Sequence, residues 1–376
     1  MKTSQIPSLS EAFSDHFLLG NIWGGHPGNV SMHKPGAKEH FLYHYNTITA
    51  SNMHKPSAIL QGSNSKNPTD WHWEEADQVV DFATENNLKM VGHTLLWHNQ
   101  MPGWFTTMQD TNQPLTRAEA FSHLEMYINA IVGRYKKRVW AWDVTNEVLN
   151  PADDEEWRNN PDWKQHLRRC EKTGLLHGQP QWYNAFANGA VGDECGSDYV
   201  YSAYRLARLA DPGAILLYND YSTEWGTKSE AICQMVVQIN DLWRSDSLYD
   251  NRPLIEGIGM QFHIFMGFDI GMARESVSRY IDTGVRLHVT EFTVHPVYYD
   301  QDGFDWWTPD TVLTPDQVEW QTKMYRDMYK MFMDFSANID RVSMFSSGGG
   351  SGIFGISPEG VVPKPAFWEV IDLANA

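Results

Sequence analysis

The sequence predicts an α/β protein that folds as a single (β/α)8 barrel, on three observations. Eight short apolar runs recur along the 376 residues. Most intervals between these runs carry helical periodicity, and no linker, low-complexity tract or repeat beyond the strand-helix unit divides the chain. We therefore expect one domain over residues 1–376, with a long loop inserted after the fourth strand at about 151–196.

The eight runs are typical of strands that are buried on both faces of a parallel sheet. Each consists of apolar, β-branched or aromatic residues and ends in polar or small ones. In chain order they are residues 18–22, 46–50, 89–97, 138–147, 214–220, 254–263, 286–292 and 341–347. Strands that alternate with helices eight times close into a barrel, and the chemistry of such a barrel lies at the carboxyl ends of its strands.

Several of the intervals contain a readable helix start. Thr116 and Glu119 form a capping-box pattern ahead of an apolar helical face. Thr314 and Gln317 repeat the pattern, with a proline at the first helical position. The interval 23–45, which is rich in glycine, histidine and proline, gives the weakest helical signal. Further helices are expected over 71–87, 197–210 and 228–245.

The composition argues against several classes of partner and cofactor. Lysine and arginine number 29 against 47 acidic residues, which gives a net charge of −18. A field of that sign repels phosphate backbones and anionic lipid surfaces, so neither nucleic acid nor a membrane is an expected partner. The three cysteines are too scattered for a disulfide framework or a zinc cluster, and the early histidines show no metal-binding pattern. We expect no metal and no organic cofactor.

Two carboxylates occupy equivalent positions on different strands. Glu147 ends the fourth run, and Glu291 ends the segment LHVTE of the seventh. A charge that finishes a buried strand costs desolvation free energy unless it is paired or used, and either carboxylate alone fits a structural ion pair as well as a catalytic role. Two of them on one barrel face favour a catalytic pair. Glycoside hydrolysis requires such a pair, because one carboxyl protonates the leaving oxygen while the other attacks the anomeric carbon or activates water. Polar residues that suit the same sugar cleft are Asn146, His93, His98, Asn219, Gln261 and His263.

The two most specific motifs are GHTLLWH at 92–98 and WDVTNE at 142–147. With the segments around them, they make the chain resemble glycoside hydrolase family 10, whose usual activity is endo-β-1,4-xylanase. The resemblance runs from about residue 9 to the C-terminus, apart from the insertion at about 151–196. Its other signatures lie at 40–56, 91–105, 217–221, 255–264 and 288–292.

The resemblance implies a retaining, endo-acting hydrolase of the β-1,4-xylosidic linkages of xylan. Glu147 corresponds to the general acid/base, and Glu291 corresponds to the nucleophile that forms a covalent glycosyl-enzyme intermediate. The two carboxyl groups of such an enzyme are expected about 5–5.5 Å apart. Asn146 corresponds to the residue that binds the sugar 2-hydroxyl next to the scissile bond.

The resemblance also assigns substrate contacts on both sides of the scissile bond. Gln261 and His263 are expected to contact the nucleophile and its sugar, and Tyr221 is expected to lie toward the leaving-group side. The residues that correspond to the non-reducing side of the cleft are Asn52, Lys55, His93 and Trp97.

Two departures from the family pattern bear on these contacts. Where the family has Glu-Asn, with the Glu holding the second sugar on the non-reducing side, this chain has Ser51 before the asparagine. Where the family has Glu-x-Asp, this chain has Glu291-Phe292-Thr293. The Asp normally supports the histidine that faces the nucleophile, so His263 needs another partner, either Thr293 or a water.

The segment at the end of the eighth run, which forms the roof of the site in the family, also departs from the family pattern. Phe345 is expected to replace the first of two tryptophans that normally cap the reactive sugar, and no second one follows in SMFSSGGGSGIFG at 343–355. The glycines at 348–350 and 352 permit backbone shapes that are closed to other residues. We expect an open or mobile wall that admits a substituted or branched sugar.

Two other interpretations stay open at this point. The first keeps the barrel and the retaining mechanism but changes the substrate to another β-linked or substituted glycan, or the cut to an exo-type one. The second is a non-catalytic glycan-binding barrel, which requires a damaged carboxylate pair although both glutamates are present. The expected partner in every case is a polysaccharide or oligosaccharide, of the xylan type in the favoured one. The sequence does not encode the oligomeric state.

Polysaccharides do not enter cells freely, and this bears on location. We expect a secreted or periplasmic protein whose leader is absent from this sequence, and a cytoplasmic enzyme that trims imported oligosaccharides is the alternative.

The chain is 13% aromatic, which suits both core packing and sugar stacking. Candidates for outer sugar platforms are Trp23, Trp71, Trp73, Trp104, Trp157, Trp163, Trp182, Trp306 and Trp307.

Overall fold

The computed structural model describes residues 5–23, 36–150, 155, 159, 162–169, 181–299, 313–345, 350–357 and 360–376. Within these ranges, eight parallel strands form a closed barrel, which confirms the fold predicted from the sequence. We number them β1 to β8 in chain order. Their bounds are β1 Leu18–Trp23, β2 Thr47–Ala50, β3 Lys89–Leu96, β4 Val139–Asn146, β5 Ile215–Asp220, β6 Gly257–Met260, β7 Arg286–His295 and β8 Ile339–Met344.

The strands follow one another around the barrel in chain order. β8 closes the ring against β1, with Arg341 opposite Leu18, and β6 pairs with β7, with Gly257 opposite Arg286. A Cβ atom at Gly92 would lie 2.1 Å from the ring of Trp142, so β3 approaches that ring only because residue 92 is a glycine. Since every pairing in the ring is parallel, the carboxyl ends of all eight strands meet at one face.

Helices pack around the barrel between the strands. The two predicted capping boxes are present, at Thr116 with Glu119 and at Thr314 with Gln317. These reciprocal bonds satisfy backbone donors that have no partner inside the helix, so they define where both helices begin. Among the described residues, no helix combines the length and apolar character that crossing a membrane requires. The α-helices are Leu9–Ala12, Ala37–His44, Pro56–Leu60, Glu74–Glu85, Arg117–Arg134, Trp182–Ala187, Asp198–Ala210, Gly226–Arg244, Ile270–Ile281, Pro315–Asp334 and Pro365–Ala374.

The sixth strand differs from the prediction, which placed one strand over 254–263. β6 ends at Met260, and a separate short strand, His263–Phe265, pairs with the end of β7. Phe262 between them has a φ of 50°, a left-handed conformation that bulky residues rarely adopt. β7 itself runs to His295, beyond its predicted end, so this part of the fold extends past the barrel rim.

Part of the insertion predicted after β4 packs against the barrel. Leu167 forms an isolated antiparallel bridge with Leu149. Trp163 is buried, and its Nε1 donates a hydrogen bond to Gln238 Oε1 (2.9 Å). Residues 162–169 are therefore anchored beside the carboxyl end of β4.

Candidate active site

The carboxyl-end face of the barrel gathers the residues that the sequence singled out. Five of them each stand directly after a barrel strand, and Glu291 lies within β7. The five are Trp97 after β3, Glu147 after β4, Tyr221 after β5, Gln261 after β6 and Phe345 after β8.

A bridge of amide side chains joins the two glutamates. Asn146 Nδ2 donates to Glu147 Oε1 (3.2 Å). Asn219 Nδ2 donates both to Asn146 Oδ1 (2.8 Å) and to Glu291 Oε1 (3.0 Å). Thr290 Oγ1 donates to Asn219 Oδ1 (2.7 Å), which sets the orientation of that amide. Since two amide groups span the space between them, both carboxylates face one cleft, as expected of a catalytic pair.

Glu147 has an unusual backbone conformation that its neighbours stabilise. Its φ is 53°, in the left-handed region, which costs a residue other than glycine about 1 kcal/mol or more. Its N–H donates to Asn219 O (2.9 Å), and its carbonyl accepts from Arg168 Nε (2.6 Å). Its carboxylate accepts from Trp97 Nε1 (2.8 Å) and from Gln261 Nε2 (2.9 Å). The carboxyl group is thus held between an indole and an amide at the cleft.

Glu291 is held in its ionised form. Burial alone would raise the pKa of this carboxyl, but a hydrogen bond from His263, the charges of His93 and His263, and the bond from Asn219 lower the pKa to about 2. His263 Nε2 lies 3.4 Å from Glu291 Oε2. A carboxylate that stays charged at neutral pH is suited to attack rather than to proton donation.

The partner of His263 and the position of Phe345 are both resolved by the structure. His263 Nδ1 lies 2.9 Å from Thr293 Oγ1. The partner of His263 is therefore Thr293, one of the two partners, Thr293 or a water, that the sequence left open. The ring of Phe345 meets the His263 ring edge-on, with centroids 5.6 Å apart. Phe345 therefore lies on the Glu291 side of the cleft, whereas the roof glycines at 348 and 349 lie outside the described residues.

Lys55, Asn52 and Trp97 form one side of the cleft. Lys55 Nζ donates to Asn52 Oδ1 (2.9 Å) and to Gln100 Oε1 (2.8 Å), and it lies 4.7 Å from the centroid of the Trp97 ring. Burial lowers the pKa of Lys55 to about 8, although the charges of both glutamates oppose this. The amino group of Lys55 is thus ordered at this side of the cleft by its two hydrogen bonds. Sequence reasoning missed Gln100, because a polar loop residue carries no pattern of its own.

His93 is buried against a carboxylate that the sequence analysis did not single out. Its Nδ1 lies 2.9 Å from Asp143 Oδ2 on β4. Inside the barrel, Arg341 is fully buried and donates from Nη1 to Thr49 Oγ1 (2.9 Å). Burial lowers the pKa of Arg341 to about 10, and the charges of Asp143 and Glu291 oppose the shift. The charge of Arg341 is thus held inside the barrel, in electrostatic range of Asp143 and Glu291.

The side of the cleft opposite Lys55 includes a residue of the insertion after β4. Arg168 Nη2 donates to Tyr221 OH (2.7 Å), while its Nε bonds the Glu147 carbonyl (2.6 Å). Lys228 Nζ lies 4.1 Å from the Tyr221 ring centroid and donates to the buried Asp220 Oδ1 (2.8 Å). Burial raises the pKa of Asp220, and Lys228 opposes this. Arg168 is thus a site residue that sequence reasoning missed, since a single arginine in a long polar loop gives no signal.

The structure excludes most of the tryptophans proposed as outer sugar platforms. Trp73 is half-buried, and Trp157, Trp306 and Trp307 lie outside the described residues. Trp225, which the sequence analysis did not single out, is 40% exposed and stands four residues after Tyr221. Those that are at most 9% exposed, and therefore belong to the core, are Trp23, Trp71, Trp104, Trp163 and Trp182.

The arrangement can carry out a displacement at an atom held between two carboxyl groups. Within the described part of the chain, no group of three or more histidine, cysteine, aspartate or glutamate side chains is placed to hold a metal ion. Glu291 is ionised, and Glu147 faces the same cleft with a carboxyl group in reach of three N–H donors. These two carboxyl groups are the candidate reactive pair of the cleft.

Comparisons with known proteins extend over the whole barrel. The sequence profile described as glycosyl hydrolase family 10 matches residues 8–347. The chain is 33% identical over 344 residues to endo-1,4-beta-xylanase A of Thermotoga maritima, covering 91% of this chain and 28% of that protein. It is 29% identical over 348 residues to endo-1,4-beta-xylanase B of Paenibacillus barcinonensis, covering 91% of this chain and 87% of the relative. A crystal structure of a GH10 xylanase from termite gut that contains a bacterial Ig-like domain matches with a TM-score of 0.81 at 29% identity, covering 100% of this chain and 79% of that one. The chain thus spans little more than a quarter of the T. maritima protein.

Proposed function

The chain belongs to glycosyl hydrolase family 10, and from that premise we propose that it is a retaining endo-1,4-β-xylanase. It cleaves β-1,4-xylosidic bonds within xylan by double displacement, with Glu291 as nucleophile and Glu147 as general acid/base. The observation that carries the proposal is the bridge from Glu147 through Asn146 and Asn219 to Glu291, which joins two carboxyl groups at one cleft. The names of the relatives support xylan as the substrate.

In the first step, Glu291 attacks the anomeric carbon while Glu147 gives its proton to the glycosidic oxygen. The bond from the sugar to the leaving chain breaks, and an ester bond to Glu291 forms. The low pKa of Glu291, about 2, keeps the nucleophile ionised at neutral pH. Its negative charge also stabilises the oxocarbenium character of the sugar in the transition state.

In the second step, Glu147 acts as a base. As a carboxylate it takes a proton from water, the water oxygen attacks the anomeric carbon, and the ester bond to Glu291 breaks. Two successive inversions restore the original configuration. This mechanism predicts a carboxyl separation of about 5–5.5 Å, because no water needs to fit between the nucleophile and the sugar.

The placement of the binding residues supports cuts inside a chain. Lys55 and Asn52 follow β2 and contact the sugar on the non-reducing side, next to Trp97 after β3. Tyr221, after β5, lies beyond Glu147 and contacts the leaving chain together with Arg168. Because side chains are available on both sides of the reacting pair, the cleft holds several consecutive sugars rather than a chain end alone.

The test is product sizing after incubation with unsubstituted xylan, glucuronoxylan, arabinoxylan and mixed-linkage β-glucan. Glu291→Gln serves as the blank, and Glu125→Gln, on the exposed face of an outer helix, serves as the matched control. We expect short xylo-oligosaccharides from the wild-type and control proteins and none from the blank. Turnover of β-glucan alone would refute the xylan assignment, and a folded wild-type protein without turnover on any glycan would refute the enzymatic proposal.

A further inference from the structure

We propose that His295 is a positioning residue for the nucleophile, acting through the hydroxyl group of Thr293 and the imidazole of His263. The inference rests on the proposed role of Glu291 as nucleophile. His263 Nε2 lies 3.4 Å from Glu291 Oε2, and its Nδ1 lies 2.9 Å from Thr293 Oγ1. Thr293 Oγ1 in turn lies 2.8 Å from His295 Nε2. Four side chains therefore form one continuous hydrogen-bonded line that ends at the nucleophile.

The strand geometry explains why these side chains meet. Glu291, Thr293 and His295 alternate along β7, so their side chains point to the same face. The short strand after the Phe262 break pairs with this end of β7 and sets His263 opposite Thr293. The regular register thus delivers the imidazole of His263 to both Glu291 and Thr293.

Packing fixes the His295 end of the hydrogen-bonded line. Thr293 and His295 are both buried. The ring of Phe265 stacks on the His295 ring, with centroids 4.7 Å apart and an interplanar angle of 16°. Because the imidazole plane of His295 is set by this contact, its Nε2 is a fixed partner for the Thr293 hydroxyl.

The Thr293 hydroxyl group allows the hydrogen bonds along this line to run in either direction. A hydroxyl donates one hydrogen bond and accepts others. When His263 is neutral, its Nε2–H points to Glu291, its Nδ1 accepts from the Thr293 hydroxyl, and Thr293 accepts from Nε2–H of His295. When His263 is protonated, Nδ1–H donates to Thr293 and the hydroxyl turns to donate to His295 Nε2. His295 supplies the donor in one state and the acceptor in the other, and Nε2–H of His263 faces Glu291 in both.

Charged and titratable groups face His263 from several elements of the fold. Glu291 faces it from β7, and Glu224, in the loop after β5, feels its charge. His93 on β3 acts on Glu291 from the other side. Burial, followed by the charge of His263, lowers the pKa of His295 to about 3, so that His295 is neutral at ordinary assay pH. Thr293 and His295 thus orient His263 without adding a charge beside the nucleophile.

The test compares Thr293→Val, which removes the hydroxyl but keeps the shape, with Thr293→Ser, which keeps the hydroxyl. We expect Thr293→Val to lower kcat about tenfold, the equivalent of one hydrogen bond. It also moves the acid limb of kcat/KM to higher pH, because Glu291 loses an oriented donor. Thr293→Ser is expected to restore both quantities to near wild-type values. Thr47→Val, a buried threonine on β2 whose hydroxyl bonds the Leu19 carbonyl, is the control for the loss of a buried hydroxyl.

A second pair of variants tests His295 directly. His295→Gln retains a side-chain donor and acceptor and is expected to keep more than half of kcat, whereas His295→Leu has neither and should reproduce the Thr293→Val pH profile. Nitrogen-15 NMR of histidine-labelled protein gives an independent readout of whether His263 carries its proton on Nε2. Wild-type kcat, pH profile and His263 tautomer in either Thr293→Val or His295→Leu would overturn the inference. If the wild-type protein had no glycan substrate, the proposed function would fail while the tautomer comparison still decided the role of the line.

Discussion

Asn219→Ala would remove the amide that joins the two carboxyl groups. The side chain is fully buried and makes three hydrogen bonds, donating to Glu291 Oε1 (3.0 Å) and Asn146 Oδ1 (2.8 Å) and accepting from Thr290 Oγ1 (2.7 Å). A hydrogen bond to a charged group contributes about 1.5–3 kcal/mol, and a neutral one contributes about 0.5–1.5 kcal/mol. The bonds to Glu291 and Asn146 act on the reacting groups and together supply roughly 3 kcal/mol, so kcat/KM is expected to fall about 100-fold.

The same substitution changes the pH dependence in a defined direction. Although burial raises the pKa of Glu291, donors that include Asn219 bring it down to about 2. Without Asn219 the pKa rises, and because Glu291 acts as a carboxylate, activity is lost at higher pH on the acid side than in the wild-type protein. The measurement is kcat/KM against pH on a xylo-oligosaccharide, within the range where circular dichroism shows the variant folded.

Asn240→Ala provides the matched control for this experiment. Asn240 is also buried and bonds the backbone of Ile255 in both directions (3.0 and 2.8 Å), but it lies outside the cleft. We expect it to lower the free energy of unfolding and to leave kcat/KM and its pH profile unchanged. If Asn219→Ala reduced kcat/KM no more than Asn240→Ala, the argument that the amide bridge organises the carboxyl pair would be refuted.

Three further predictions concern single side chains around the pair. Glu147→Ala should slow the cleavage of xylo-oligosaccharides by about 100-fold or more. It should spare aryl xylosides with good leaving groups, because these leaving groups need little protonation. Equal losses on both kinds of substrate would contradict the role of Glu147 as the acid. The pKa of Lys55 is lowered to about 8, so its charge is lost as the pH rises through that value, and KM should increase above pH 8 in the wild-type protein but not in Lys55→Arg. Arg168→Ala should lower kcat about tenfold and raise KM for long oligosaccharides, because the Glu147 carbonyl and Tyr221 lose a donor. Arg169→Ala is its control, and equal effects of both substitutions would refute a specific role for Arg168.

The sequence was sufficient to predict the barrel, and it singled out Glu147 and Glu291 as the candidate reacting pair. The eight strands are recognisable as apolar runs, because a strand that is covered on both faces needs apolar side chains on both faces. The helix starts at Thr116 and Thr314 were readable because capping depends on residues only three positions apart. Glu147 and Glu291 stood out for a related reason, since each places a charge where the local pattern demands an apolar residue.

Other parts of the site had no local signal. Asp143 lies inside the apolar strand that Glu147 follows, but only the neighbouring strand shows that it pairs with His93. Arg168 lies in a long insertion where many polar residues are equivalent by sequence. The break at Phe262, which separates β6 from His263–Phe265, appears in the sequence as one uninterrupted run.

The sequence by itself determined the fold class and the family to which the chain belongs, and it predicted Glu147 and Glu291 as the reacting carboxylates. The fold class follows from the recurring apolar runs, and the family and the predicted carboxylate roles follow from motifs whose residues are close together along the chain. Only the tertiary structure decided which side chains lie against those two residues: the Asn219 bridge, the contact of Arg168 with the Glu147 backbone carbonyl, and the hydrogen-bonded line from His295 to Glu291. Their effect depends on hydrogen bonds, which require donor and acceptor within about 3 Å, and that proximity is created by the closure of the barrel rather than by spacing in the chain.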